Sequence, residues 1–464
     1  MNIHPTVKEA AVIFTGEGKQ VYLVGGAVRD LLRGQRVKDW DLATDARPEE
    51  VIAFFRDRKA RGNGEKLQCF VVPTGIKHGT VTVHFKGLSM EVTTFRSDSG
   101  YSDGRRPDRV EFGNSMEADL SRRDFTMNAA AYKLPSGPLL DPFEGRQDIK
   151  KGIIRSVGNA EERFSEDGLR PVRALRFASQ LNFTIEEKTL AAIPGALPLT
   201  AKVAAERIRD ELDKIIASEE PSKALLLMEE TGLLKLTIPE LANCRGVEQK
   251  GYHLFDVLDH SLLACDFAAR EGMPQEVRLA ALYHDLGKPV TVQIDENGIR
   301  SFHRHEKESS DLARNIMLRF RYPNAVTEKV CHLVEEHMFS YSDNWTDAAV
   351  RRFIIRAGEE NLKDLFALRR ADAYGMTKTV PSHDYLLPLM ERTANILAQK
   401  RALSLKDLAV SGRELIASGI NPGKHMGIIL NELLEAVVED PEQNTREKLL
   451  EIAVKLNQRY GAKE

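Results

Sequence analysis

The change of texture at about Asp148 constrains this chain more than any other feature. Up to that point short β-rich runs (VYLVGG, FVVPTG, GTVTVHF, MEVTTF) alternate with helical stretches such as AVRDLLRG and PEEVIAFFRDR, the mixture of an α/β domain. Beyond it β signals nearly vanish. LRPVRALRFASQL, AERIRDELDKIIAS, EKVCHLVEEHM and TREKLLEIAVKLNQR carry helical spacing, which predicts an all-α remainder. With 464 residues, domains of ~150 residues give about three of them. Joints are expected at GALPLT (195–200), at 237–253 and at 376–388, where Pro, Gly and short polar residues cluster.

Lys+Arg 66 against Asp+Glu 69 leaves a net charge of -3, which argues against wholesale coating of nucleic acid. Any such partner must be gripped by placed arginines. A mean hydropathy of -0.34 and the lack of any apolar run near ~18 residues exclude a membrane span. The four cysteines (Cys69, Cys244, Cys265, Cys331) are scattered without a CxxC, so a reduced, cytoplasmic setting is expected. The N-terminus has no basic region followed by an apolar one, and no export signal is expected.

Chemistry concentrates in two places. In VYLVGGAVRDLL, Gly25 and Gly26 stand between a strand and a helix, where bare backbone and free N–H groups suit a phosphate and Arg29 reaches the same anion. Just downstream, VKDWDLAT sets Asp39 and Asp41 two apart in an expected strand, so both carboxylates point to one face. A divalent cation, Mg²⁺ by preference, would relieve their repulsion and bind substrate phosphates, the arrangement of two-metal phosphoryl transfer. Glu91, on another expected strand, is the candidate third carboxylate. The plainer reading of such a pair is solvated turn acids, and of such a glycine pair an ordinary turn.

Together these motifs resemble the class II tRNA nucleotidyltransferases and bacterial poly(A) polymerases, on the polymerase-β-like fold. RRDFTMNAAAY (122–132), DPFEGRQDI (141–149), EDGLRPVRALRFA (166–178) and AERIRDEL (205–212) continue the family's order, so the likeness spans roughly 20–215. It implies that Gly26 and Arg29 hold the triphosphate, Asp39 and Asp41 the Mg²⁺, and Arg123, Asp124 and Asn128 the sugar and phosphates. Asp167 and Arg170, read as one helical face, would present edges to the incoming C or A, with Arg173 and Arg176 facing phosphates. Without the resemblance that stripe reads as a helix salt-bridge ladder. FRSDSGYSDGRRPDRVEFG (95–113) is expected to be a mobile loop over the site, of the full length that accompanies addition of the final A.

Most of the twelve histidines lie between 253 and 340. His260, the His284-Asp285 pair and Asp372 follow the order of HD-domain phosphohydrolases, a resemblance that implies one divalent ion on all four. Mixed N/O donors suit Mn, Fe, Ni or Mg and activate water. Lys288, with His303, His305 and Glu306 of HRHEKES, is a candidate contact to phosphate or a second ion.

The expected architecture is α/β followed by all-α: a nucleotidyltransferase head with a small mixed sheet (1–148), a helical neck selecting nucleotide and contacting RNA (149–245), an HD domain (246–385) and a helical, tRNA-binding tail (386–464). The expected reaction is template-independent addition of CCA, or its terminal A, to the tRNA 3′ end from CTP and ATP. The alternatives are an A-adding-only enzyme, a poly(A) polymerase, an HD phosphohydrolase with a regulatory head, and a non-catalytic RNA-binding protein. A poly(A) polymerase ranks lower because the chain ends YGAKE without a basic extension.

Overall fold

The computed structural model describes residues 2–60, 69–76, 79–99, 109–113, 115–249, 251, 253–382, 385–399 and 403–460. They divide into two units, Met1–Ala242 and Asn243–Glu464.

In the first unit the runs rich in β-branched residues become β1 (Val21–Val24), β2 (Trp40–Thr44), β3 (Cys69–Gly75), β4 (Thr80–Phe85), β5 (Leu88–Thr94), β6 (Arg96–Ser99), β7 (Arg109–Phe112), β8 (Ala131–Lys133) and β9 (Leu139–Leu140). Seven form one mixed sheet of order β3-β4-β5-β2-β1-β8-β9. β2 and β5 run parallel, setting Asp41 beside Glu91. The period of two decides what each face does. Val21, Leu23, Leu42, Met90 and Val92 bury against Phe14 and Phe55 on one side. Tyr22, Val24 and Ala43 pack with Phe95 and Leu120 on the other, the side to which the alternation assigns Asp41.

Residues 95–113 depart from the expected open loop. β6 and β7 pair antiparallel, so the flanks are a β-ribbon; the tip, 100–108, lies outside the described residues. GALPLT is likewise no joint, because Ile193–Thr200 is helical with Pro198 inside it. Gly168 shows why this helix matters: a Cβ there would stand 2.7 Å from the Leu199 carbonyl oxygen and 2.9 Å from the Thr200 nitrogen. The Arg170–Leu181 helix packs on the helices Ala205–Ile216 and Pro221–Glu230.

Among its described residues the second unit is helical apart from a short hairpin, Val292–Ile294 with Arg300–Phe302, that the helical spacing did not predict. Its last helices, Lys424–Glu439 and Arg446–Tyr460, share a core of Leu415, Ile429, Leu433 and Leu449. Arg351, on the Asp347–Ala357 helix, donates from Nε to the Val438 carbonyl at 2.6 Å and so satisfies a terminal carbonyl of Lys424–Glu439. No disulfide joins the four buried cysteines, and among the described residues no helix is long and apolar enough to cross a membrane.

Candidate functional site

Gly25 follows directly on β1 with φ +65°, a left-handed value that glycine adopts without strain. A Cβ there would stand 3.2 Å from Arg123 Nη1 and 3.4 Å from Asp41 Oδ2, so bare backbone lies between a cation and an anion. The helix it opens, Gly25–Leu32, has no side chain capping its first N–H groups, which leaves them to an anion. Arg29, one turn in, is fixed by Nη1 donating to Asn128 Oδ1 at 3.1 Å and Nε donating to Asp30 Oδ1 at 2.9 Å.

These groups line a cleft of about 470 Å³ together with Asp41, Arg123, Asp124, Asn128, Asp167, Arg170, Arg173 and Arg176. Of the three carboxylates expected to hold a metal, Asp41 is the one that lines this cleft among the described residues. Burial, then Glu91, with Asp39 adding to both, pushes the Asp41 carboxyl up to about 6 against the pull of Arg123 and Arg29. A divalent cation relieves that crowding. Asp39 and Glu91 do not line the cleft. Asp39 is exposed and sits just before β2, which corrects its placing within the strand: the chain is still turning toward the sheet at that residue, so period two does not govern its side chain.

The Asp167–Arg170 reading also needs correction. The two do not share a helix, because Asp167 ends Ala160–Glu166 and Arg170 begins Arg170–Leu181. Gly168 between them lies against the Leu199–Thr200 backbone, and Thr200 Oγ1 donates to its carbonyl at 2.8 Å. Nor do their side chains pair with each other. Asp167 Oδ2 accepts from Arg207 Nη2 at 2.8 Å. Arg170 Nη1 donates to the Arg163 carbonyl at 2.7 Å and to Glu166, and Nη2 to the Arg122 carbonyl at 3.0 Å. An arginine has five N–H donors, so Nε–H and one Nη2–H remain for a ligand.

The next arginines are committed inward. Arg173 donates from Nε at 2.9 Å and from Nη2 at 2.6 Å to Asp124 Oδ2. Burial alone would raise the Asp124 carboxyl; Arg173 overrides it and holds it at about 2. Arg176 binds Glu211 Oε2 at 2.8 Å and lies over the Phe177 ring. Asp124 and Arg176 thus have protein partners where sugar and phosphate contacts were expected. Arg122, Phe177 and Arg207 line the cleft without having been singled out. For Arg207 a signal existed, since AERIRDEL was among the ordered motifs.

The second unit brings together the four residues expected to form an HD site. His260 on Val257–Arg270, His284 and Asp285 at the end of Gln275–Tyr283, and Asp372 on Leu362–Thr377 are all buried. His260 Nε2 lies 2.9 Å from His284 Nε2, 3.3 Å from Asp285 Oδ2 and 3.2 Å from Asp372 Oδ1. Gly375 allows this closeness, since a Cβ there would meet the His260 carbonyl oxygen at 2.6 Å. Burial would lower the His284 pKa, but Asp285 and Asp372 override it and raise it to about 10. A bound divalent ion would replace that proton, and these N/O donors fit one. Lys288 Nζ bonds Asp285 Oδ2 at 2.6 Å and His305 joins the cluster, whereas His303 is exposed. His337, at the end of Asn324–Glu336, also joins it; no motif announced it. Burial, then His284, pushes its pKa down to about 3.

Known proteins match along the whole chain. Residues 21–155 match the family described as "Poly A polymerase head domain", 182–245 "Probable RNA and SrmB- binding site of polymerase A", and 295–453 "tRNA nucleotidyltransferase domain 2 putative". A CCA-adding enzyme of Levilactobacillus brevis is 32% identical over 93% of this chain and 93% of its own length. One of Enterococcus faecalis is 34% identical over 97% and 96%. The crystal structure of the Bacillus stearothermophilus CCA-adding enzyme in complex with CTP superposes with TM-score 0.71 at 29% identity, covering 100% of both chains.

Proposed function

The chain belongs to the CCA-adding enzyme family, and on that premise we propose that the cleft of the first unit adds CCA to the 3′ end of tRNA from CTP and ATP, releasing pyrophosphate. The observation that carries this reading is that Gly25 and Gly26, the crowded carboxylate of Asp41, and Asp167 with Arg170 share one cleft.

The RNA 3′-hydroxyl attacks the nucleotide's α-phosphate and pyrophosphate leaves. The free N–H groups at Gly25 and Gly26, with Arg29 and Arg123, receive the triphosphate. Asp41, assisted by Asp39 and Glu91, would hold the cation, for which magnesium suits carboxylate and phosphate oxygens. When bound, that cation would supply a more acidic 3′-hydroxyl and charge neutralisation at the leaving group. Asp167 accepts from the base while Arg170 donates through its uncommitted edge; Arg207 fixes the carboxylate. Asn128 orients Arg29, and Arg173 holds Asp124 ionised beneath them.

Within this reading 1–148 is the catalytic head, 149–245 the neck, 246–385 an HD domain and 386–464 a tRNA-contacting tail, and we place the protein in the cytoplasm, where reduced thiols are stable. A second activity is favoured by one observation, the buried quartet His260, His284, Asp285 and Asp372, whose donor set suits a divalent ion that activates water against phosphoesters.

The test supplies tRNA lacking one, two or three terminal nucleotides with labelled CTP and ATP. Completion of all three substrates, lost in Asp41→Ala, is expected. Extension of only the substrate lacking its final A would show an A-adding enzyme instead, and long A tails a poly(A) polymerase.

A further inference from the structure

We propose that Asp119, which does not itself line the cleft, is a positioning residue for the nucleotide's triphosphate: it turns Arg122 and Arg123 into one clamp on the cleft wall. This rests on the reading that the cleft adds nucleotides. Asp119 lies on the helix Met116–Ser121 and is 1% exposed. Its two oxygens serve different arginines. Oδ1 accepts from Arg122 Nε at 3.1 Å and Nη2 at 2.5 Å, and Oδ2 accepts from Arg123 Nη2 at 3.1 Å. The spacings are i,i+3 and i,i+4, the two at which side chains meet along a helix. Consecutive side chains otherwise diverge, by about 100° where the backbone is helical, yet Arg122 and Arg123 both line the cleft. The shared carboxylate brings them to one wall.

Charge explains why the three groups belong together. A buried carboxylate is costly unless paired, and two guanidiniums side by side repel. Asp119 between the arginines offsets both penalties and leaves the trio with one net positive charge, the sign a phosphate needs. Arg123 is tied at both ends of its guanidinium, since Nη1 also donates to the Asn128 carbonyl at 3.4 Å, beside the bare backbone of Gly25. The entropy of ordering this long side chain is therefore lost in folding and not again when the nucleotide binds, and a fixed guanidinium fork matches phosphate oxygens. CTP and ATP share their triphosphate and differ in the base edge offered to Asp167 and Arg170. A fault at Asp119 therefore falls on both nucleotides alike.

The experiment uses the full chain and measures kcat and KM for CTP on tRNA lacking all of CCA and for ATP on tRNA lacking the final A. Inhibition by inorganic pyrophosphate, which probes the phosphate contacts without a base, is measured beside them. Asp119→Asn keeps the shape of the side chain and removes its charge. A rise of about tenfold in both KM values and in the pyrophosphate Ki is expected, with kcat changed much less and the CTP-to-ATP ratio of kcat/KM unchanged, the pattern of binding lost equally from ground and transition states. Arg122→Gln should raise the same Ki, and by a smaller factor when Asp119→Asn is already present, because the two act through one contact. Thermal unfolding checks the fold; should Asp119→Asn unfold, an unchanged Ki in Arg122→Gln overturns the clamp. Unchanged KM and Ki in a folded Asp119→Asn, a fall in kcat alone, or fully additive effects of the two substitutions each overturn the positioning role while nucleotide addition stands. A wild type that incorporates neither nucleotide overturns both readings.

Discussion

The cleft of the first unit and the cluster of the second use the same currency of charge in opposite ways. In the cleft nearly every cation already holds a carboxylate: Arg173 on Asp124, Arg207 on Asp167, Arg176 on Glu211. What stays unsatisfied is one crowded carboxylate, Asp41, beside bare glycine backbone. In the cluster the orphaned atoms are Asp285 Oδ1 and His305 Nε2, buried away from water and 3.3 Å apart. The first arrangement suits a substrate that arrives carrying its own charge and leaves; the second suits a resident cation. The difference teaches that exposure and the sign of the unmet charge, more than residue type, separate a substrate site from a metal site.

Substituting the crowded carboxylate tests the contrast most severely. Asp41→Asn should lower nucleotide incorporation on the order of 10³-fold. Because burial and Glu91 hold this carboxyl at about 6 against an ordinary 3.8, ionising it at neutral pH destabilises the fold, and the same variant should gain up to about 3 kcal/mol. Activity assays and thermal melts on one preparation check both; a loss of stability would show that Asp41 is not crowded.

Arg173→Ala removes the partner of Asp124 and leaves a buried carboxylate unpaired, at a cost of about 3 kcal/mol, measurable by urea unfolding. Arg173→Lys should lose less. Gly168→Ala forces a methyl against the Leu199–Thr200 backbone, expected to cost about 1–3 kcal/mol. Since Gly168 joins Asp167 to Arg170, the variant should also blur the choice between CTP and ATP, read as the ratio of kcat/KM values.

The smallest effect is that of pH. Below about 6 Asp41 takes up a proton, so cation binding in the cleft should weaken and incorporation should fall about tenfold per unit of pH once the proton is bound. Over the same range the penalty of ionising Asp41 fades, so its contribution to stability improves as pH falls toward 4. A rate that stays flat down to pH 5 would contradict this assignment.

Much of the candidate site was legible because its signals are local. A glycine pair between strand and helix, a carboxylate one step into the next strand, and the order of His260, His284, Asp285 and Asp372 are patterns of neighbouring residues, and the structure assembles them as read. Asp39 was misplaced because strand ends follow the pairing partner and not the pattern. The one-helix reading of Asp167 and Arg170 failed because Gly168 breaks the helix to fit a neighbour 31 residues away. His337 was missed for a further reason: a single histidine on a helix has no periodic signature, and only packing shows where it points.

By itself the sequence determined the order of an α/β half and a helical half, the glycine turn, and the chemical types available to each cluster, because backbone hydrogen bonding and hydrophobic period are short-range properties of the chain. Tertiary structure decided which charges meet. Arg207 reaches Asp167 across 40 positions of sequence, and Asp285 sets Oδ2 beside His260 and His284 and Oδ1 toward His305 and His337, because pairing depends on how helices dock and on which polar groups burial leaves without water.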